Sequence, residues 1–182
     1  MNNPKLRSLL ITLHLLFAGF MAPAFLLMAI TGGNYLLGIK GSIKSETLSV
    51  PNAVMLDFKS PTLETDIREM LVAANIDHDF EYVKSRGVGK IHLRPTSRPY
   101  LEITSDGVVK RMTPSLQKAM MELHMGHGPK LFKTYQKFVA LALIGVVLGG
   151  VLVGLLAKAY RRKTIISVVI GGIVFVLLAF VI

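Results

Sequence analysis

Cysteine and tryptophan are both missing from this chain of 182 residues. Without thiols the chain forms no disulfide bond, no cysteine-ligated iron–sulfur cluster and no C-x-x-C-H attachment to haem, and thiol catalysis is excluded. Acidic residues are also few, since there are 11 and all lie between Glu46 and Glu122. Long stretches outside that segment carry no charge, and 52% of all residues are apolar. This distribution predicts an integral membrane protein with one polar segment.

The net charge of +10 has a simpler explanation than nucleic-acid binding. Basic residues cluster beside the apolar runs, as they do beside membrane spans, and the polar segment holds 15 basic residues against its 11 acids. We therefore predict a lipid bilayer around the chain and no nucleic-acid partner. The six basic residues outside the polar segment flank apolar runs: Lys5, Arg7, Lys158, Arg161, Arg162 and Lys163.

Three apolar runs without Asp, Glu, Lys or Arg are each long enough to cross a hydrocarbon core of roughly 30 Å. They are Leu9–Ile30, Phe138–Ala157 and Thr164–Ile182. We expect the first helix to end at Thr31-Gly32-Gly33-Asn34 and the last two spans to form an antiparallel hairpin. A cleaved signal peptide is rejected because the first run exceeds about 7–15 residues and no clear cleavage site ends it.

The basic flanks predict the orientation of these spans. The N-terminus and the turn at 158–163 lie on the same side if all three segments cross, and both are basic without an acid. Both are therefore expected in the cytoplasm, with the polar domain and the C-terminus outside it. The predicted division of the chain is a tail and first span at 1–37, an extracytoplasmic domain at 38–128 and a helical hairpin at 129–182.

The polar segment has the pattern of a small α+β domain. Apolar residues recur at helical spacing over 62–75, with Thr62 as an N-cap, and Asp106-Gly107 is a strong hairpin signal. A further helix is predicted from Ser115 to about Met125. We expect one helix packed on a sheet of three to five strands. The predicted strands are Ala53–Phe58, Phe80–Lys84, Lys90–Arg94, Tyr100–Thr104 and Val108–Met112.

Standard catalytic signatures are missing from the sequence. It contains neither G-x-S-x-G nor H-E-x-x-H, and Gly87-Val88-Gly89-Lys90 fails as a P-loop because Ile91 replaces the hydroxyl that binds Mg²⁺. The carboxylates of the polar segment are scattered among lysines and arginines, and we interpret them as a solvated surface. Whether the chain is an enzyme stays open, with a non-catalytic role favoured and no catalytic residue assigned.

His14 lies inside the first predicted span, where an ionisable side chain is costly and usually faces the interior of a helix bundle. Two functional interpretations are a ligand to haem iron and a proton relay. The alternative is a neutral imidazole that is hydrogen-bonded to a backbone carbonyl or to Thr12, and we favour this alternative.

His124 and His127 form a second candidate site. They are three residues apart, so on a continuing helix they share a face and their imidazoles could bind Zn²⁺ or Cu²⁺. Several methionines lie close by in the sequence, and their thioethers would favour Cu⁺. The alternative interpretation is an amphipathic helix that lies among lipid headgroups.

Small residues in the second span allow another helix to approach closely, because packing replaces the hydrophobic drive in lipid. The face contacts either another span of the same chain or a membrane partner, such as a second copy in a homodimer. The glycines of this face are Gly145, Gly149, Gly150 and Gly154.

The order of motifs resembles a bacterial family. A span containing Leu13-His14 is followed by Thr31-Gly32, by an α+β domain with an Asp-Gly hairpin, and by Leu123-His124-x-Gly126 before the next span. This resembles the PepSY-associated transmembrane proteins, in particular their short three-span members. The resemblance implies an inner-membrane protein with an extracytoplasmic PepSY-like domain. It also implies a link to iron and siderophore uptake.

From this resemblance we expect a non-catalytic accessory or interaction subunit, linked to iron handling or a membrane redox complex. The alternatives are haem b-dependent electron transfer to ferric siderophores, with His14 as a ligand, and a module that regulates peptidases. Gly32 lies 18 residues beyond His14, about 27 Å along a helix. One chain therefore cannot offer His14 and His124 to the same haem, and a second chain would have to supply the other ligand.

Overall fold

The computed structural model describes residues 4–50 and 56–181 of the chain. Within these residues, helices account for both ends and a small sheet lies between them in sequence. The helices are α1 (Pro4–Leu36), α2 (Leu63–Ala73), α3 (Leu116–His124), α4 (Lys130–Leu156) and α5 (Arg161–Phe180), and the strands are β1 (Ile43–Leu48), β2 (Tyr82–Ser85), β3 (Lys90–Arg94), β4 (Tyr100–Thr104) and β5 (Val109–Pro114).

Three of these helices, α1, α4 and α5, are long and apolar enough to cross a membrane. Large apolar side chains are exposed along all three, and no residue of α5, which the structure describes in full, is buried. Apolar surface of this extent is stable against lipid and unstable against water. The prediction of a membrane protein with three candidate spans is thus confirmed.

The end predicted for the first helix is wrong. α1 continues through Thr31, Gly32 and Gly33 to Leu36. The Thr31 hydroxyl donates a hydrogen bond to the carbonyl oxygen one turn earlier, at 2.6 Å, which keeps this polar residue within the helix. The helix ends before Gly38, whose φ of 78° lies in the left-handed region that glycine adopts without strain.

The chain divides into two compact units. One comprises residues 1–24 and 137–182, so it contains most of α4, all of α5 and the first part of α1. The other comprises residues 25–136, which include the end of α1, the sheet, α2 and α3.

All five strands form one antiparallel sheet in the order β1-β5-β4-β3-β2. The hairpin predicted at Asp106-Gly107 joins β4 to β5. β1 was not predicted from the sequence, because its side chains are almost all exposed and show no apolar alternation. The strand predicted at 53–58 is not found over 56–58, and residues 53–55 lie outside the described residues.

Side chains alternate across the sheet, so its two faces differ in chemistry. The apolar face packs on α2, which confirms the helix predicted over 62–75. Thr62 occupies the N-cap position, but its hydroxyl bonds the Asp66 carboxylate and caps no backbone N–H group. The core between α2 and the sheet consists of Ile67, Met70, Leu71, Phe80, Ile91, Leu93, Leu101, Ile103 and Val109.

Candidate functional site

The second face of the sheet, opposite α2, is polar. His92 and Arg94 of β3 and Tyr100 and Glu102 of β4 lie on it, and a cavity of about 340 Å³ opens there. We call this surface the polar face. The residues between them in sequence belong to the core, so the packing of α2 against the sheet also positions these polar side chains.

Glu122 of α3 lies at the centre of a buried polar cluster beside this cavity. Its Oε2 accepts hydrogen bonds from Thr96 Oγ1 at 2.5 Å and from His127 Nδ1 at 2.8 Å. Its Oε1 lies 2.8 Å from Lys118 Nζ. Arg94 Nη1 donates to Thr96 Oγ1 at 2.8 Å and lies 3.8 Å from Glu122 Oε2. We refer to these five residues as the Glu122 cluster.

The interpretation of the carboxylates as a solvated surface is therefore wrong for Glu122, which is only 8% exposed. Burial alone would raise the pKa of Glu122, but hydrogen bonds from Lys118, Thr96 and His127 outweigh burial and lower the pKa to about 2. Burial lowers the pKa of His127 despite its hydrogen bond to Glu122. At neutral pH the cluster thus combines one carboxylate with two cations, Lys118 and Arg94, and a neutral imidazole.

Arg94 is the most deeply buried charge of the polar face, at 2% exposure. Its Nε atom is also buried and has no hydrogen-bond partner among the described residues. A buried donor without a partner costs about 1–3 kcal/mol. The Glu122 cluster therefore compensates the Arg94 guanidinium only in part.

The cavity has an excess of positive charge at neutral pH. His92 Nε2 bonds Glu102 Oε2 at 2.8 Å, yet burial lowers the pKa of His92 and favours the neutral ring. Burial raises the pKa of Tyr100 to about 12, so its hydroxyl is un-ionised. Four cations and two carboxylates remain, and such an excess attracts anions. These charged residues are Arg86, Lys90, Arg94, Lys118, Glu102 and Glu122.

His14 lies in the unit of membrane helices, in a cavity of about 210 Å³ lined by α1 and α4. Its Nδ1 atom is buried without a hydrogen-bond partner in the described part of the chain. The hydrogen-bonded imidazole expected from the sequence is thus not found at this nitrogen. A methyl group added to Gly150 would lie 3.5 Å from His14 Cε1, which is ordinary van der Waals contact, so α4 lies close beside the ring.

Three of the four small residues predicted on α4 face helices of the same chain. Gly149 and Gly150 face His14 of α1, and a methyl group on Gly154 would collide with Thr164 of α5. A methyl group on Gly145 would meet no described atom within 4 Å. Packing within the chain therefore accounts for most of this face, and the homodimer stays a prediction.

His124 and His127 do not share a helical face. α3 ends at His124, and Gly126 takes a φ of 73° that turns the chain away from the helix. His127 bonds Glu122, whereas His124 Nδ1 lies 2.6 Å from Thr31 Oγ1. Because the Thr31 hydroxyl donates its proton to the Leu27 carbonyl oxygen within α1, it can accept a hydrogen bond from Nδ1–H of His124.

A cavity of about 260 Å³ adjoins His124 and is also lined by Met121, Met125 and Tyr35. Within residues 4–50 and 56–181, no group of three or more His, Asp or Glu side chains is arranged to hold a metal ion. The metal assignment of His124 and His127 stays a prediction.

Sequence reasoning missed the polar face and the Glu122 cluster. Strict alternation over Lys90–Arg94 placed the polar residues of β3 on one side of the sheet, and this signal was available. The sequence of α3 does not show that Glu122 is buried against this side of the sheet. Lys118 and Glu122 form an i,i+4 pair, which is typical of an exposed helix surface.

No family model matches this chain, and neither a curated protein nor a solved structure matches it. The resemblance to the PepSY-associated transmembrane proteins therefore stays a prediction that rests on the order of the motifs.

Proposed function

We propose that the chain is a non-catalytic accessory protein of the bacterial inner membrane, similar to the PepSY-associated transmembrane proteins. The segment from β1 to α3, residues 43–124, which we call the sheet domain, would bind a ligand or partner outside the cytoplasm. The observation that carries this proposal is the polar face, where charged side chains line a cavity of about 340 Å³ and hydrogen bonds hold Arg94, Glu102 and Glu122 in place. A concave site with a few oriented polar groups is typical of a binding module.

The architecture is consistent with such a role. The sheet domain is joined in sequence to an apolar helix at each end, α1 before it and α4 after it. Two attachments restrain the domain close to a bilayer, where it can act beside other membrane proteins. A link to iron handling or to a redox complex rests on the family resemblance alone.

The orientation within this proposal rests on the basic flanks at Lys5, Arg7 and 158–163. A reporter enzyme that is active only outside the cytoplasm should work when it is fused at Asp106 and fail at Arg162. Green fluorescent protein at the same two positions, which fluoresces only in the cytoplasm, should show the reverse. External activity at Arg162 would contradict the orientation and with it the proposed compartment.

Haem-dependent electron transfer is the second candidate function, and His14 favours it. A buried imidazole nitrogen without a partner, beside a cavity and two glycines, is a feature that a haem ligand would also show. The cavity of about 210 Å³ lies below the range of about 300–1,000 Å³ for small-molecule sites. A second chain would therefore have to enlarge the cavity. The spacing of His14 and His124 in the sequence already requires another copy or a partner protein to supply the second ligand.

An absorption spectrum separates the two functions. Full-length protein purified in detergent from haem-supplemented cells should show no Soret band and no dithionite-dependent change. A red protein whose colour is lost in a His14→Gln variant would contradict the accessory role and favour electron transfer. Retention of colour in that variant would assign the haem to another residue and would still contradict the accessory role.

A further inference from the structure

We infer that the cavity on the polar face binds a dianionic phosphate group, such as that of a phosphate monoester. We rest this inference on the proposed function, since it names the ligand class for the binding face proposed above. Three observations carry it: the charge of the cavity lining, the fixed position of the buried Arg94 in that lining, and the size and composition of the cavity.

The first observation is charge. The lining combines Arg86, Lys90, Arg94 and Lys118 with only two carboxylates, Glu102 and Glu122. Both carboxylates already have partners. Glu102 is hydrogen-bonded to His92, and Glu122 is bonded within its cluster, so these contacts reduce the repulsion of an incoming anion. The excess of two positive charges corresponds to the charge of a phosphate monoester, which is about −1.5 to −2 at pH 7.

The second observation is Arg94. Its side chain is almost fully buried, its Nη1 is anchored on Thr96, and its Nε finds no partner within the described residues. The Nε atom is itself buried and does not open to the cavity, but Arg94 lines the cavity, and its guanidinium charge is fixed at the wall. Guanidinium groups held in this way suit oxyanions, because their N–H groups match the spacing of phosphate oxygens.

The third observation is size. A volume of about 340 Å³ exceeds that of one phosphate group, so an organic substituent fits as well. The Tyr100 and His92 rings form part of the wall, with their centroids 5.1 Å apart, and Ile43 and Met112 add apolar contact. The cavity thus offers a basic region for the phosphate and a mixed aromatic and apolar region for the substituent.

The test is a calorimetric titration of the full-length protein in detergent with inorganic phosphate at constant ionic strength. We expect saturable binding to a single site. Arg86→Gln and Lys90→Gln should each weaken that binding about tenfold, the loss expected for one charge-assisted hydrogen bond. Both residues are exposed, so these variants should keep the fold.

Lys59→Gln is the matched control, because it removes the same charge from an exposed residue that does not line the cavity. It should leave the affinity for phosphate unchanged. Equal losses in all three variants would reveal a non-specific effect of net charge and overturn the inference. So would the absence of saturable binding at phosphate concentrations up to about 10 mM.

A second arm identifies the source of the phosphate group. Displacement of inorganic phosphate by glycerol phosphate in solution indicates a soluble ligand. Displacement only by vesicles that contain phosphatidic acid indicates a lipid headgroup, and either result supports the inference. Failure of phosphate binding would leave the proposed accessory function standing, whereas a haem spectrum would overturn that function without touching the anion site.

Discussion

The two faces of the sheet are formed by the same strands, but one is apolar and packs on α2, whereas the other is polar and lines a cavity. On one face Leu93 and Leu101 are completely buried against α2, and the contacts there are apolar and non-directional. On the other face Arg94 of β3 and the adjoining Glu122 of α3 are buried almost as deeply, but hydrogen bonds and charge hold them.

This difference shows how a domain of this size separates stability from binding. Apolar burial contributes about 25 cal/mol per Å² whatever the partner, so the α2 face stabilises the fold. A buried polar cluster contributes little net stability, but it is costly to leave incomplete. Side chains locked in such a cluster stay oriented towards the cavity, which is what a binding site needs.

The largest effect is expected from a charge placed in the apolar face. Leu71 is 3% exposed, so Leu71→Asp would bury an unpaired carboxylate at a cost of several kcal/mol and unfold the sheet domain. The neighbouring Val72 is 79% exposed, and Val72→Asp should change stability by less than about 0.5 kcal/mol. Limited proteolysis of the full-length protein checks both variants. Equal protease resistance would contradict the core assignment.

A smaller but still severe effect is expected in the Glu122 cluster. Glu122→Gln keeps the shape of the side chain and removes the charge that compensates Lys118 and Arg94, at a cost of about 3 kcal/mol. Glu69→Gln on the exposed surface of α2 is the control and should be nearly neutral. Thermal unfolding of the purified protein measures the difference. If Glu122→Gln left the thermal stability unchanged, the charge of Glu122 would not stabilise Lys118 and Arg94.

The pH dependence of stability should also distinguish the two faces. Glu122 has a folded-state pKa of about 2 against an ordinary 4.5, so its contribution is complete above pH 4.5 and is lost as the pH falls towards 2. His92 and His127 have lowered pKa values, because burial favours their neutral rings. Their contribution is present above the ordinary value of 6.5 and decreases below it.

The midpoint of thermal unfolding at a series of pH values tests this expectation. The midpoint should fall from pH 7 to pH 2, and the decline between pH 4.5 and 2 should flatten in Glu122→Gln. A Leu71→Ala variant should lower the midpoint by the same amount at every pH, since the apolar face carries no titrating group. If both variants lowered the unfolding midpoint by a constant amount at every pH, Glu122 would not be the source of the pH dependence, and this expectation would be wrong.

The smallest effect is expected at His14, a half-buried residue whose Nδ1 atom is buried without a partner among the described residues. Its Nδ1 forms no hydrogen bond to any described residue, so His14→Gln breaks none there. Hydrogen bonds between membrane helices average about 0.6 kcal/mol in any case. Yield and thermal stability in detergent should be close to those of the wild type. Gly150→Leu is the contrasting variant, because its side chain would be forced against the His14 ring and should lower stability.

Local sequence patterns predicted most of the elements correctly. The long apolar runs revealed α4 and α5, helical spacing revealed α2, and β3 and β4 were predicted with the bounds observed. β1 was missed because an exposed edge strand has no apolar alternation to reveal it. The end of α1 was misplaced because glycine and threonine are weak helix breakers when a side-chain hydrogen bond keeps them in the helix.

The sequence by itself determined that this chain enters a membrane and that a small α+β domain interrupts its spans, because span length and side-chain periodicity are properties of contiguous residues. Only the tertiary structure decided which polar groups are buried together. Arg94 and Glu122 are 28 residues apart in sequence, and they meet because the fold brings α3 beside the polar face of the sheet. Burial and hydrogen bonding then set their protonation and orientation, and these depend on neighbours that no local pattern specifies.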